Sequence, residues 1–193
     1  LFRSLIRASS LYGCMDASIG SGDASGDDAK PADILLNSLL TTNRYISTTH
    51  AGSSMFASLF FALFDPQSGE LIYINAGHEA PMIFRANGEI DLLDITGGVV
   101  GLFPVANYEV QTAALYPGDL IFTYTDGVNE AKNPAGQQFS DERILATAID
   151  ASRDPCALLE TMLDAVKTFA AGAEQSDDIT MLALRKLESD QGA

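Results

Sequence analysis

Asp119-Leu120-Ile121-Phe122-Thr123-Tyr124-Thr125-Asp126-Gly127 reads as an apolar β-strand that ends in a carboxylate and a turn residue. A second acidic stretch lies further along, Gln175-Ser176-Asp177-Asp178-Ile179-Thr180. There the order is reversed: Asp177 and Asp178 stand just before a strand expected over Ile179 to Arg185. If the two strands are neighbours in one sheet, the acids meet at its rim. Clustered carboxylates repel one another unless a cation lies between them, and hard oxygen ligands suit Mg²⁺ or Mn²⁺. The first expectation is therefore a divalent-metal site at the end of a β-sheet.

Working outward, turn chemistry divides the rest of the chain. Met55 to Asp65 is almost continuously apolar and predicts a strand covered on both faces. Pro66-Gln67-Ser68-Gly69 turns it into a second strand, Glu70 to Asn75. Pro81 to Arg85 and Glu89 to Asp94 flank an Asn87-Gly88 turn and predict a hairpin. Tyr108 to Leu115 is a further strand. Ahead of this block, Leu1 to Tyr12 has helical spacing, 14–30 is a flexible acidic loop, and Pro31 opens a helix with an apolar face of Leu35, Leu36, Leu39 and Leu40. Behind it, Ser140 is read as the N-cap of one helix. Asp154-Pro155 starts another that Gly172 stops. With no repeat and no hinge, the 193 residues read as a single α+β domain.

Composition narrows the function. Hydrophobic residues make up 47% of the chain and charged residues 19%, which is a globular profile. Eleven Lys and Arg against 26 Asp and Glu leave a net charge of −15, which argues against nucleic acid or a membrane surface as the partner. That charge also repels phosphate, unless bound cations reverse the field locally. Cys14 and Cys156 make no disulfide framework or zinc site, and a reduced, cytoplasmic setting is expected. The longest apolar run, Met55 to Phe64, is shorter than the roughly 20 residues of a membrane span. A helix already under way at Leu1, with no initiator Met, reads as a piece of a longer protein.

Three segments in order, Asn75-Ala76-Gly77-His78, Tyr124-Thr125-Asp126-Gly127-Val128-Asn129-Glu130-Ala131 and Gln175-Ser176-Asp177-Asp178-Ile179-Thr180, resemble the metal-dependent (type 2C) protein serine/threonine phosphatases. The likeness is to their bacterial branch, which includes the stage II sporulation phosphatase E and the stress-response phosphatases that control sigma factors. It runs from about Met55 to Arg185. The resemblance implies a four-layer αββα sandwich of two mainly antiparallel sheets flanked by helices, here lacking its first strands. It also implies two Mn²⁺ or Mg²⁺ ions, with Asp126 and Asp177 as metal ligands and Asp178 as a third or outer ligand. No protein nucleophile is implied.

One family feature is missing. Members carry an Asp-x-Ser-Gly-x-Gly motif before the helix that begins here at Leu1, and no such segment precedes it. Asp23-Ala24-Ser25-Gly26 looks similar, but Asp28 stands where the last Gly belongs. A flexible acidic insertion is the plainer reading of that stretch.

The plainer alternatives for the other residues stay open. A strand-end Asp before Gly is ordinarily a turn residue, and it is the resemblance that directs Asp126 to metal. His78 is read as a structural hydrogen-bonding residue and His50 as solvated, while Glu130 is divided between a local contact and a salt bridge. By resemblance, the expected activity is hydrolysis of phosphoserine or phosphothreonine on a regulatory protein. The expected substrate is an anti-sigma-factor antagonist in a partner-switching pathway, with a sensor or receiver domain upstream. The competing reading is a phosphatase-fold module that binds a partner without catalysis.

Overall fold

In the computed structural model, which describes residues 30–50 and 55–187, the chain runs α1 (Pro31–Thr49), β1 (Leu59–Phe64), β2 (Glu70–Ala76), β3 (Met82–Phe84), β4 (Ile90–Leu92), β5 (Gln111–Ala114), β6 (Leu120–Tyr124), α2 (Asp126–Asn129), α3 (Ser140–Asp150), α4 (Pro155–Ala170) and β7 (Met181–Arg185). The helix expected over Leu1 to Tyr12, the acidic loop ahead of Lys30 and the Asp23-Ala24-Ser25-Gly26 stretch lie outside the described residues. The strands make two antiparallel sheets, of order β1-β2-β5 and β4-β3-β6-β7. The backbone forms two units, each built round one sheet. One takes the described residues up to His78 and Asp94–Ala114; the other takes Glu79–Leu93 and the chain from Leu115 on.

In the first unit, Pro31 occupies the first turn of α1, where its missing N–H costs nothing. The helix buries Leu35, Leu39 and Ile46 against Ile74 and Ala76 of β2, with Val100 and Tyr108. Asn43 is a buried polar residue on that helix, and its bonds account for its position. Its Nδ2 donates to Phe103 O at 2.9 Å, and its Oδ1 accepts from Gly101 N at 2.8 Å and from the Tyr108 hydroxyl at 3.3 Å. The helix thereby holds the 101–103 backbone, and burial pushes the Tyr108 phenol up to about 12.

The apolar run at Met55 to Asp65 behaves differently from expectation. Only Leu59–Phe64 is a strand, and it is half-buried, with Phe56 and Leu63 exposed. Among the described residues β1 is an edge strand. The nearly continuous burial belongs to β2, which is central and paired on both sides. An apolar composition does not say whether a strand is central or at the edge.

In the second unit, the β3–β4 hairpin closes over Asn87-Gly88, with Gly88 at φ 95°. α4 begins as expected: Asp154 Oδ1 accepts from Ala157 N at 2.9 Å and Pro155 follows. Leu158, Met162 and Val166 of α4 and Ile144 and Ala148 of α3 pack with Phe84, Leu120 and Phe122 of the sheet.

Ser140 does not cap α3. It is the first helical residue, at φ 68°, and its hydroxyl bonds Glu142 Oε2 at 2.7 Å rather than a backbone amide. The stop of α4 also differs in detail, because Ala171 itself takes the left-handed conformation at φ 46° before Gly172.

Asp119, at the start of β6, organises the far end of this sheet. It accepts from Tyr116 N, Ala86 N and Arg85 Nη1, the last at 2.7 Å. Burial works to raise its carboxyl. The Tyr116 amide, the Arg85 guanidinium and the Ala86 amide outweigh that and hold it below the usual carboxylate range.

Candidate functional site

Antiparallel pairing of β6 with β7 puts Tyr124 opposite Met181. The end of one strand therefore lies beside the start of the other, and Thr125 extends the join. Its N–H donates to Thr180 O at 3.0 Å, its Oγ1 accepts from Thr180 N at 3.0 Å, and the same hydroxyl donates to Asp178 O at 2.8 Å. The chain then turns into the one-turn helix α2, whose first residue is Asp126. Glu130 N–H closes on Asp126 O at 2.9 Å.

Gly127 makes the approach possible. A Cβ there would lie 2.5 Å from Asp178 O, 2.9 Å from Asp178 C and 3.0 Å from Asp177 O. Backbone does not yield to such contacts, so a residue without a side chain is required. Asp126 is thus adjacent in sequence to a residue in van der Waals contact with the Asp177-Asp178 backbone, and the two acidic segments are brought together as expected.

The 175–178 segment is internally tied. Asp177 Oδ1 accepts from Asp178 N at 2.6 Å, Gln175 Nε2 donates to Asp177 O at 2.7 Å, and the Ser176 hydroxyl donates to Glu130 O at 3.3 Å. Asp126, Asp177 and Asp178 are all exposed, and none pairs with a described Lys or Arg. Exposed carboxylates with no cationic neighbour, held by a backbone cradle, suit a hard divalent cation. Among the described residues, however, no three His, Cys, Asp or Glu side chains are grouped so as to hold a metal, so Asp126, Asp177 and Asp178 do not by themselves form such a cluster.

Behind the acids, the Tyr124 hydroxyl and Asn129 Nδ2 both donate to Asp141 Oδ1, each at 3.0 Å. Burial, followed by the charge and hydrogen bond of Asp141 and the charge of Glu79, raises the Tyr124 phenol. It stays protonated and tethers α3 to the end of β6. Sequence reasoning missed Thr125 and Asp141 as supports. For Thr125 a signal existed, a hydroxyl at a strand end beside the acid; for Asp141 none did, since its partners come from other elements. Glu130 takes part through its backbone. In the other unit, His78 N donates to the buried Asn75 Oδ1 at 2.8 Å.

Comparison with known proteins agrees with this geometry. The sequence matches the Stage II sporulation protein E (SpoIIE) family over residues 19–187. Protein IcfG of Synechocystis sp. is 34% identical over 191 residues, which covers 95% of this chain and 30% of that protein. Phosphoserine phosphatase RsbU of Bacillus subtilis is 25% identical over 165 residues, covering 81% of this chain and 45% of that protein. The chain therefore spans less than half the length of either curated relative.

Among solved structures, the SiaA-PP2C domain of Pseudomonas aeruginosa aligns with a TM-score of 0.68 at 20% identity, covering 95% of this chain and 68% of that one. The phosphatase domain of SpoIIE from Bacillus subtilis aligns at 0.60 and 15%, covering 95% and 76%. These likenesses show the fold, an α+β arrangement of two antiparallel sheets with helices as in PP2C domains. With a family match over most of its length, the chain belongs to the Stage II sporulation protein E (SpoIIE) family, and its fold is that of PP2C domains.

Proposed function

We propose that this domain, within its full-length protein, hydrolyses phosphoserine or phosphothreonine on a regulatory protein, using two Mn²⁺ or Mg²⁺ ions. The observation that supports the reading is the close approach of Gly127, the residue after Asp126, to the Asp177-Asp178 backbone. Asp126 and Asp177 act as ligands, and Asp178 as a third or outer one. Ions bound there supply the charge that makes water acidic near neutral pH and offsets the charge of the phosphate. The chain's own part is to hold these carboxylates in place through Thr125 and Gly127 and to keep the carboxylate oxygens free of protein cations.

RsbU carries the name phosphoserine phosphatase, which supports phosphoserine as the group acted on. An anti-sigma-factor antagonist, with an upstream sensor or receiver domain in the same protein, is the specific form of this reading. No helix among the described residues is long and apolar enough to cross a membrane, and a cytoplasmic location accompanies the proposal.

The test is a calorimetric Mn²⁺ titration of the full-length protein and its Asp126→Asn variant, beside phosphate release from a phosphoserine protein. Binding and release in the parent, both lost in the variant, support the reading. A parent that binds the phosphoprotein yet releases no phosphate with Mn²⁺ makes the domain a binding module instead.

A further inference from the structure

A pocket of about 300 Å³ lies between the C-terminal turns of α4 and the 174–179 segment. Its apolar lining includes Val166 and Ile179, and Lys132, Lys167 and Glu174 also border it. Ser176 forms part of its wall, so the segment that carries Asp177 and Asp178 is also a side of this pocket. Both lysines are exposed, and neither makes an ion pair with a described residue.

Two free ammonium groups at one pocket stand out in a chain with 11 cationic residues against 26 acidic ones. Lys167 alone has a local explanation, since it sits in the last turn of α4 where cations favour the helix end. Lys132 has none: it follows α2 on a different element and is paired through its backbone with Gln138. Glu174 offsets one of the two charges, which leaves the pocket net positive next to a cluster of acids. Its charge is the opposite of the chain's.

We propose that this pocket receives a flanking segment of the phosphoprotein, one that places an acidic side chain between Lys132 and Lys167 and an apolar one on Val166 and Ile179. The phosphorylated residue then reaches the Asp126 and Asp177 site past Ser176, which lines the pocket next to Asp177 in sequence. Net repulsion by the acidic chain is overcome at this one place, so the pocket contributes selectivity for acidic partners. The inference rests on the phosphatase reading above.

The experiment uses full-length protein with Mn²⁺ and two phosphoserine peptides that differ only in acidic or basic flanking residues. Exposed ion pairs are individually weak, so the wild type is expected to favour the acidic peptide by about five- to tenfold in kcat/KM. Lys132→Glu with Lys167→Glu reverses the preference, through KM with kcat retained, and raising salt erodes it in both proteins. Phosphate release with the same preference in wild type and variant overturns the pocket and leaves the phosphatase reading standing. No release from either peptide by the wild type overturns both.

Discussion

A hydroxyl at position 125 joins two backbone groups that carry no chemistry of their own. Thr125→Val removes the acceptor for Thr180 N and the donor to Asp178 O. Supports of this kind around metal ligands are worth about 10- to 100-fold in affinity. Calorimetry should therefore show weaker Mn²⁺ binding by about tenfold in Thr125→Val, with affinity restored in Thr125→Ser. Asp119 is the complementary case, a residue whose bonds serve the fold alone. Its side chain is 3% exposed, and that of its partner Arg85 is 17% exposed. Asp119→Ala takes the buried carboxylate away from the guanidinium, and breaking a buried pair from one side costs about 3 kcal/mol. Chemical denaturation at neutral pH measures this loss directly.

At the scale of elements, α4 offers two opposite changes. Asp154→Ala deletes the bond to Ala157 N and should lower stability by about 1 kcal/mol. Ala171→Gly relieves a left-handed alanine and should raise it by a similar amount, about 1 kcal/mol. Thermal melts of the two variants should move in opposite directions. These termini also show what could be read from sequence. Asp154-Pro155 was legible because cap and proline act within a single turn, and Asn87-Gly88 because a tight turn selects its residues locally. Ser140 misled for the same reason: its local signature is that of a cap, yet the chain entering from Phe139 leaves it at positive φ. The edge position of β1 was not legible at all, because pairing partners are set by distant segments. The join of Asp126 to Asp177-Asp178 was legible only as an inference from two strand ends; the bonds that make it, through Thr125 and Gly127, depend on side-chain placement across the pair.

For the whole molecule, pH acts at the acid end through Asp119 and at the alkaline end through buried phenols, Tyr108 in one unit and Tyr124 in the other. Asp119 titrates below the ordinary carboxylate range, so its contribution is complete above that range and is lost as pH falls through the depressed value. Tyr108 titrates above an ordinary phenol. It stays neutral in the folded chain while the unfolded chain ionises from 10.0, so stability falls as pH rises from there to about 12. Tyr108's share of the alkaline loss is at most roughly 3 kcal/mol. Denaturation midpoints across pH should give a plateau near neutrality with a fall at each end, and Tyr108→Phe should make the alkaline fall shallower, with Tyr124 sustaining the rest.

The close approach at Gly127 separates two kinds of inheritance. On the proposed reading, the carboxylate of Asp126 matters only to a lineage that performs the metal-assisted chemistry. The bare α-carbon beside it matters to any lineage that keeps β6 and β7 joined as they are here, because a side chain would collide with the Asp178 backbone in either case. If the proposed hydrolysis were abandoned for pure partner binding, a descendant would be free to lose the acid and would still keep the glycine. Relatives with Gly at this position and no acid before it are therefore the ones to assay as silent scaffolds.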